Sequence, residues 1–157
     1  MKPPAASQIR PMRPHDLPQV MQLAQSLRDA PHWTPAAWRA ILQPEAAPRR
    51  VALVAVDPAA GAINGLTVAV LIPPQAELES IAVSAEAQRQ GVGRQLFAAL
   101  ALELARAEIH EIWLEVRASN QAARAFYGAL NFAETGQRPG YYTDPQEDAV
   151  LMTLRLR

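Results

Sequence analysis

The sequence contains no cysteine. This absence excludes a disulfide framework, a thiolate metal site and a cysteine nucleophile. Histidine is also scarce, and His15, His32 and His110 lie too far apart to show the spacing of metal ligands. We therefore expect a protein that holds no metal ion. The lack of disulfides is compatible with a cytoplasmic protein.

An excess of charge of either sign is missing too, since 15 Lys and Arg residues balance 15 Asp and Glu residues. Nucleic-acid binding depends on a basic surface that neutralises phosphates, so this balance argues against general nucleic-acid binding. No stretch approaches the ~20 apolar residues that span a bilayer. The first residues lack the apolar core of a signal peptide. We expect a cytoplasmic protein that contacts neither nucleic acid directly nor a membrane.

What the chain does have is clear hydrophobic periodicity. With 157 residues, half of them hydrophobic, it is expected to form a single domain over residues 1–157. The pattern predicts the order β-α-α-β-β-β-α-β-α-β-β, a mixed α/β fold around one sheet. Asp16 is predicted to cap the first helix and Pro31 to end it.

A turn with the sequence QRQGVGR joins a predicted strand to a predicted helix that begins near Gly91. Gly91 and Gly93 lack a Cβ atom, so the backbone can turn tightly and let an anion approach its N–H groups. The start of the helix attracts negative charge, and Arg89 and Arg94 add charged donors. The turn lacks the Lys-Ser/Thr of a Walker loop and the third glycine of a dinucleotide fingerprint. Taken alone, it fits an anion site and an ordinary strand-to-helix turn equally well.

The following predicted strand carries one carboxylate, Glu115. Its neighbours Leu114 and Val116 alternate with it and define the apolar face of the strand. A carboxylate close to an anion site could accept a proton from whatever the anion carries. The alternative is a structural glutamate that pairs with Arg117.

Two segments resemble a known family. The strand ESIAV and the turn QRQGVGR are similar to the GNAT superfamily of acyl-CoA N-acyltransferases, whose turn reads Q/R-x-x-G-x-G/A. The run WLEVRASNQAARAFYGALNF, followed by RPGYY and EDAVLM, resembles the bacterial ribosomal-protein-alanine N-acetyltransferases of the RimI type. Those enzymes acetylate the N-terminal alanine of a small-subunit ribosomal protein. The resemblance extends from about Ile81 to Met152 and implies a GNAT-type fold, a mixed and mostly antiparallel sheet flanked by helices.

The resemblance also implies acetyl-CoA as cosubstrate and suggests which residues bind it. Ile81, Ala82 and Val83 would pair with the pantetheine arm through their main-chain groups, as an added strand would. Asn120 would contact the coenzyme where the next strand separates. The turn residues would hold the pyrophosphate, and they are Arg89, Gln90, Gly91, Val92, Gly93 and Arg94.

The catalytic roles follow from the same resemblance. An α-amino group has a pKa of roughly 8 and is largely protonated at neutral pH, so a base must remove its proton before it attacks. Glu115 is the candidate general base, and Glu77 and Glu79 are competing candidates. Tyr127 is the candidate general acid that protonates the departing CoA thiolate.

The acceptor would be a peptide N-terminus. Tyr141 and Tyr142, placed in a loop after Gly140, would contact that peptide. We therefore expect direct transfer of acetyl from acetyl-CoA to the N-terminal amine of a ribosomal protein. Two alternatives stay open: a GNAT enzyme that acetylates a small-molecule amine or a lysine side chain, and a non-catalytic acyl-CoA-sensing domain.

Overall fold

The strands are β1 (Gln8–Pro11), β2 (Arg50–Val56), β3 (Ile63–Ile72), β4 (Gln75–Val83), β5 (Glu111–Arg117), β6 (Ala133–Tyr142) and β7 (Glu147–Arg155). They come from a computed structural model that describes residues 6–28, 30 and 32–156. In the described residues they form one seven-stranded sheet with the order β1-β2-β3-β4-β5-β7-β6. Each neighbouring pair is antiparallel except β4 and β5, which are parallel.

Helices cover both faces of this sheet, namely α1 (Leu17–Ser26), α2 (Pro35–Ile41), α3 (Val92–Arg106) and α4 (Gln121–Ala129). Alternation along the strands divides the core between the faces. In β2, Leu53 and Ala55 pack with α3, whereas Val54 packs with α1 and α2. Among the residues that the structure describes, no helix combines the length and apolar character needed to cross a membrane.

The predicted order of elements and the GNAT-type fold are confirmed, apart from two short 3-10 helices. The predicted loop at Tyr141 and Tyr142 is wrong, because β6 continues through both residues. The segment Pro139-Gly140 suggested a break, but β6 pairs only with β7 and lies at the edge of the sheet, where proline is tolerated. Pro31, predicted to end the first helix, lies outside the described residues.

Asp16 does not cap α1 as predicted, although it immediately precedes that helix. Its side chain is only 2% exposed and turns back towards β1. The two Arg10 guanidinium nitrogens donate to its two carboxylate oxygens at 2.7 and 2.8 Å, and the Arg13 main-chain N–H donates at 2.8 Å. The carboxylate therefore ties β1 to the start of α1.

We expect Asp16→Asn to lower the free energy of unfolding by about 2 kcal/mol at neutral pH, because it weakens hydrogen bonds to a charged group. Arg10 holds the pKa of Asp16 below its usual range, so this stabilisation is present above the ordinary carboxylate pKa. It is lost as the pH falls through the lower, folded-state value. Urea unfolding at pH 7 and in acid would measure both effects.

Glu103→Gln is the matched control, because Glu103 pairs with Arg106 on the exposed face of α3. Exposed pairs contribute little, so its effect should stay within about 0.5 kcal/mol. An Asp16→Asn variant as stable as this control, or a difference from the wild type that grows in acid, would contradict the assignment.

β4 and β5 are paired only where they begin. Their parallel register runs from the Gln75–Glu111 pair to the Glu77–Trp113 pair. Beyond these positions the two strands share no further pairs in the described part of the chain. The second halves of both strands therefore face an opening in the sheet.

A bulge in β4 lies where this opening starts. Leu78 and Ser80 pair with the consecutive β3 residues Ala69 and Val68, which leaves Glu79 without a partner in β3. Bulges bend a strand and increase its local twist. The bend falls just after the last positions that β4 shares with β5, and it helps to separate the two strands.

Candidate active site

The opening between the two strands is a cleft of about 410 Å³. The second halves of β4 and β5 form its walls, and side chains from the end of α1, from α4 and from β6 complete it. Glu115, Asn120, Tyr127 and Tyr142 all line this β4–β5 cleft. The fold thus brings together residues from four separate parts of the sequence.

A second cavity, of about 470 Å³, connects the β4–β5 cleft with the glycine turn. The two cavities share five lining residues: Ile81, Val83, Gln88, Ala123 and Tyr127. At the far end of the second cavity lie five of the six turn residues predicted to bind phosphate: Arg89, Gly91, Val92, Gly93 and Arg94. One continuous groove therefore runs from the turn to Glu115.

The turn has the backbone of an anion site. Gly91 precedes α3 and has a φ of +82°, a left-handed conformation that costs glycine little. Arg89 also has a positive φ, of 65°. The first N–H groups of a helix have no partner within the helix, so those at the start of α3 are available to a ligand beside Gly91.

Two glutamine side chains fix the shape of the turn. The Gln88 side-chain amide donates to the carbonyl of Val83 at 3.1 Å, which ties the turn to the end of β4. The Gln90 amide donates to the carbonyl of Glu86 at 3.0 Å. Gln90 does not line the groove, so its predicted contact with phosphate is left to its main chain.

Gly93 is needed for helix packing rather than for a left-handed backbone conformation. A Cβ atom at Gly93 would lie 3.1 Å from the Phe126 ring, closer than nine in ten real contacts of a Cβ atom. The missing side chain therefore lets α4 pack closely on the start of α3. This packing brings Tyr127, the next residue along α4, to the groove.

The main chain of β4 presents alternate residues to the cleft. The Ser84 N–H donates to the carbonyl of Asn64, a β3 residue, at 2.9 Å. Main-chain groups of successive strand residues point to opposite sides, so those of the preceding residue, Val83, point away from β3. The bond from Gln88 to the Val83 carbonyl agrees with this direction. By the same alternation the main-chain N–H and C=O of Ile81 point into the cleft, whereas those of Ala82 point towards β3. Of the three predicted residues, Ile81 and Val83 are oriented to pair with an extended ligand.

Glu115 lies on β5 with its side chain only 10% exposed. One carboxylate oxygen, Oε1, accepts a hydrogen bond from Arg138 Nη1 at 2.7 Å. The other, Oε2, is buried and has no hydrogen-bond partner among the described residues. The alternative pairing with Arg117 is wrong, because that guanidinium binds Glu147 at 3.3 Å. A buried, unpartnered oxygen that borders a cavity is suited to accept a proton.

Glu79 and Glu77, the two other candidates for the general base, have different surroundings. Glu79 accepts a hydrogen bond from Arg50 Nε at 2.7 Å, so its carboxylate is already engaged in an ion pair. Glu77 is half-buried, and burial raises its pKa, with further increases from the nearby charges of Glu79 and Glu115. Glu77 is therefore the stronger rival to Glu115 as a base, although it lies outside the lining of the β4–β5 cleft.

Tyr127 occupies the junction of the two cavities. Its ring packs edge-on against those of Phe126 and Phe132, with ring centres 5.4 and 5.7 Å away. Burial, with a smaller contribution from Tyr142, raises the pKa of its phenol to about 12. The hydroxyl therefore keeps its proton at any physiological pH.

Asn120 links α4 to the cleft. Its side-chain oxygen accepts the Ala123 N–H at 3.1 Å and so caps α4. The same residue lines the β4–β5 cleft, as predicted for a coenzyme contact. Its carboxamide oxygen is used by the helix, which leaves its NH₂ group for a ligand.

Tyr141 and Tyr142, the predicted acceptor contacts, lie side by side, and of the two only Tyr142 lines the cleft. Tyr142 is partly buried and lines it, whereas Tyr141 is 49% exposed. Their ring centres are 5.0 Å apart. Each ring also stacks with a guanidinium, Arg117 over Tyr142 at 4.4 Å and Arg138 over Tyr141 at 4.6 Å.

Several residues of this site were not predicted. Arg138, which binds Glu115, begins the RPGYY segment and was quoted only as part of a resemblance. Leu27, Arg28 and Ala30, which follow α1, line the cleft, but their sequence has no distinctive pattern. Within the described residues, no cluster of three or more potential ligand side chains is arranged to hold a metal ion.

A model of the acetyltransferase (GNAT) family matches residues 17–132. The [ribosomal protein bS18]-alanine N-acetyltransferase of Escherichia coli K12 is 43% identical over 96 residues, or 60% of this chain. That alignment spans 65% of the relative's length, slightly under two thirds. A crystal structure of the ribosomal-protein-S18-alanine N-acetyltransferase from Escherichia coli superposes with a TM-score of 0.82 and 34% identity. The match covers 96% of this chain and 94% of that one.

A crystal structure of Arabidopsis thaliana NAA60 in complex with acetyl-CoA has a TM-score of 0.83. It covers 95% of this chain and 99% of that one at 15% identity, and so shows the common fold alone. The family match and the bacterial structure are decisive: the chain belongs to the GNAT family of acetyltransferases.

Proposed function

We propose that this protein is an acetyl-CoA-dependent N-acetyltransferase that acetylates the N-terminal amine of a protein. The observation that carries the proposal is the position of Glu115. Its free carboxylate oxygen is buried at one end of a groove whose other end is a helix N-terminus suited to phosphate. A base and an anion site joined by one groove fit a thioester substrate with a long phosphorylated arm.

Acetyl-CoA would occupy this groove. The turn at Gly91 would hold the pyrophosphate, with Arg89 and Arg94 as charged donors. Ile81 and Val83 would pair with the pantetheine arm through the main-chain groups that face the cleft. The acetyl group would then lie between the walls of the cleft, near Glu115.

Glu115 would act as the general base. The acceptor amine enters largely protonated, and Oε2 accepts its proton directly or through one water. The freed nitrogen attacks the carbonyl carbon of the acetyl group, and a main-chain N–H near Val83 supports the developing oxyanion. The new N–C bond forms, the C–S bond breaks, and CoA leaves as the thiolate, while the second proton that the nitrogen loses on becoming an amide passes to solvent. No covalent acyl-enzyme is needed.

Tyr127 would assist the departing sulfur. A phenol of pKa about 12 always has a hydrogen to offer. Complete transfer of that proton to a thiolate, whose own pKa is roughly 8.5, is unfavourable. The proposed role is therefore a hydrogen bond that stabilises the thiolate as it forms, with solvent as the final proton source.

The proposed acceptor is the N-terminal alanine of a small-subunit ribosomal protein, which implies action in the cytoplasm. The support is similarity, because the bacterial relatives carry that activity in their names. Tyr142 and the residues that follow α1 line the cleft on the side from which such a peptide would enter in this proposal.

The test is incubation of the purified protein with acetyl-CoA and an alanine-starting ribosomal peptide, followed by mass spectrometry of the peptide N-terminus. The same peptide with a blocked N-terminus and an internal lysine is the matched control. Acetylation of the blocked peptide, or of polyamines in preference to either peptide, would favour the small-amine or lysine alternative. Binding of acetyl-CoA without thiol release with any amine would favour the sensing domain.

A further inference from the structure

The two oxygens of Glu115 have opposite surroundings. Oε1 is held by Arg138 at 2.7 Å, while Oε2 is buried and unpartnered within the described residues. A carboxylate on a flexible glutamate can rotate, and rotation would exchange the two oxygens. The contact with Arg138 fixes which oxygen remains free and where it lies.

Arg138 reaches Glu115 from a separate strand. β7 lies between β5 and β6, so the arginine crosses β7 to make this contact. Its guanidinium is 4.6 Å from the centre of the Tyr141 ring, which gives it a second support. More than half of the Arg138 side chain is exposed, so it contributes little to the core.

Two other arginines near the cleft are engaged with different carboxylates, whereas Arg28 lines the cleft without a salt bridge to Glu115 in the described residues. Arg117 pairs with Glu147, and Arg50 pairs with Glu79. Arg138 is the arginine whose charge is directed at Glu115 in the described part of the chain.

Three other titratable groups near Glu115 are acidic. They are Glu77 from β4 and the phenols Tyr141 and Tyr142 from β6. Glu115 raises the pKa of Tyr141, and the hydrogen bond to Glu115 raises that of Arg138. Among the described residues, Arg138 is the cation that forms a salt bridge with Glu115.

We propose that Arg138 is a positioning residue for the transfer reaction: it holds Oε1 of Glu115 so that Oε2 faces the acceptor amine. This role rests on the proposed function, because Arg138 acts only through the base. It predicts an effect on turnover rather than on coenzyme binding.

We expect Arg138→Gln to lower kcat by about tenfold, since misplacing a base costs a sizeable part of its contribution. The KM for acetyl-CoA should stay unchanged. Arg138→Lys should recover most of kcat, since it restores the charge without the planar donor pair.

Two further measurements separate positioning from a general loss of structure. In a Glu115→Gln background, Arg138→Gln should cause no additional loss, because the two residues act as one unit. Arg106→Gln removes an exposed arginine that pairs with Glu103 on α3, and it should leave kcat unchanged.

The outcomes distinguish this role from the proposed function. A wild-type protein that releases no CoA with any amine would refute both. An active wild type together with an Arg138→Gln variant of unchanged kcat would refute the role of Arg138 alone. An additional tenfold loss on adding Arg138→Gln to the Glu115→Gln variant would also refute this role. So would a lower KM for the acceptor in Arg138→Gln, because it would indicate that Arg138 merely competes with the amine.

Discussion

Replacing Glu115 by glutamine is expected to lower kcat for peptide acetylation by about a hundred- to a thousandfold, the usual contribution of a general base. Glutamine keeps the size of the side chain and one oxygen for Arg138 but cannot accept the proton of the ammonium group. In the proposed complex acetyl-CoA contacts the turn and β4 rather than Glu115, so its affinity should remain that of the wild type. Steady-state kinetics and calorimetric titration with the coenzyme would measure the two quantities separately.

Glu111→Gln is the matched control for this experiment. Glu111 lies at the start of the same strand and accepts a hydrogen bond from Gln75 at 2.9 Å, away from the cleft. The control should retain wild-type turnover. Glu77→Gln tests the rival base, because a loss at Glu77 that exceeds the loss at Glu115 would transfer the role. Wild-type turnover in Glu115→Gln would remove the assignment altogether.

The features predicted well from the sequence depend on local periodicity. Val92, Leu96, Leu100 and Leu104 recur every four residues, and all four are buried on the inner face of α3. Alternation in β5 likewise placed Glu115 opposite the apolar side chains of its strand. Such patterns need only the geometry of one helix or one strand.

The features that escaped prediction depend on contacts between distant segments. Arg138 lies 23 residues after Glu115, and β7, which separates their strands, comes later in the chain than both. Gly93 resembled a phosphate contact, but its missing Cβ is also required by Phe126 on another helix. Asp16 had the position of a helix cap, yet a bidentate bond to Arg10 proved the stronger use of its carboxylate. Residue type and spacing do not reveal such partners.

The groove explains why the family resemblance could identify candidate residues without revealing how they work together. The turn and Glu115 lie at opposite ends of it, and the close packing of α4 on Gly93 brings Tyr127 to its middle. The β4 bulge and the early end of the β4–β5 pairing create the space between them. Chemistry at this site therefore depends on a local failure of sheet pairing.

Tyr127→Phe is the second large effect that we expect, a loss of about a hundredfold in kcat. Removal of one donor to a charge that develops in the transition state typically costs this much. Phenylalanine keeps the ring that packs against Phe126 and Phe132, so the thermal unfolding midpoint and acetyl-CoA affinity should change little. Kinetics with the alanine-starting peptide would give kcat, and a scanning fluorimeter would give the midpoint.

The pH dependence of this loss tests the physical basis of the role. Because burial raises the pKa of Tyr127 to about 12, the hydroxyl loses its proton only in strong alkali. The ratio of wild-type to Tyr127→Phe kcat should therefore stay constant from neutral pH to about pH 10, the range in which an ordinary phenol begins to ionise. A ratio that declines towards one across that range would show that the phenol ionises early. If the wild type and Tyr127→Phe had the same kcat at neutral pH, the departing sulfur would need no hydrogen-bond donor from α4.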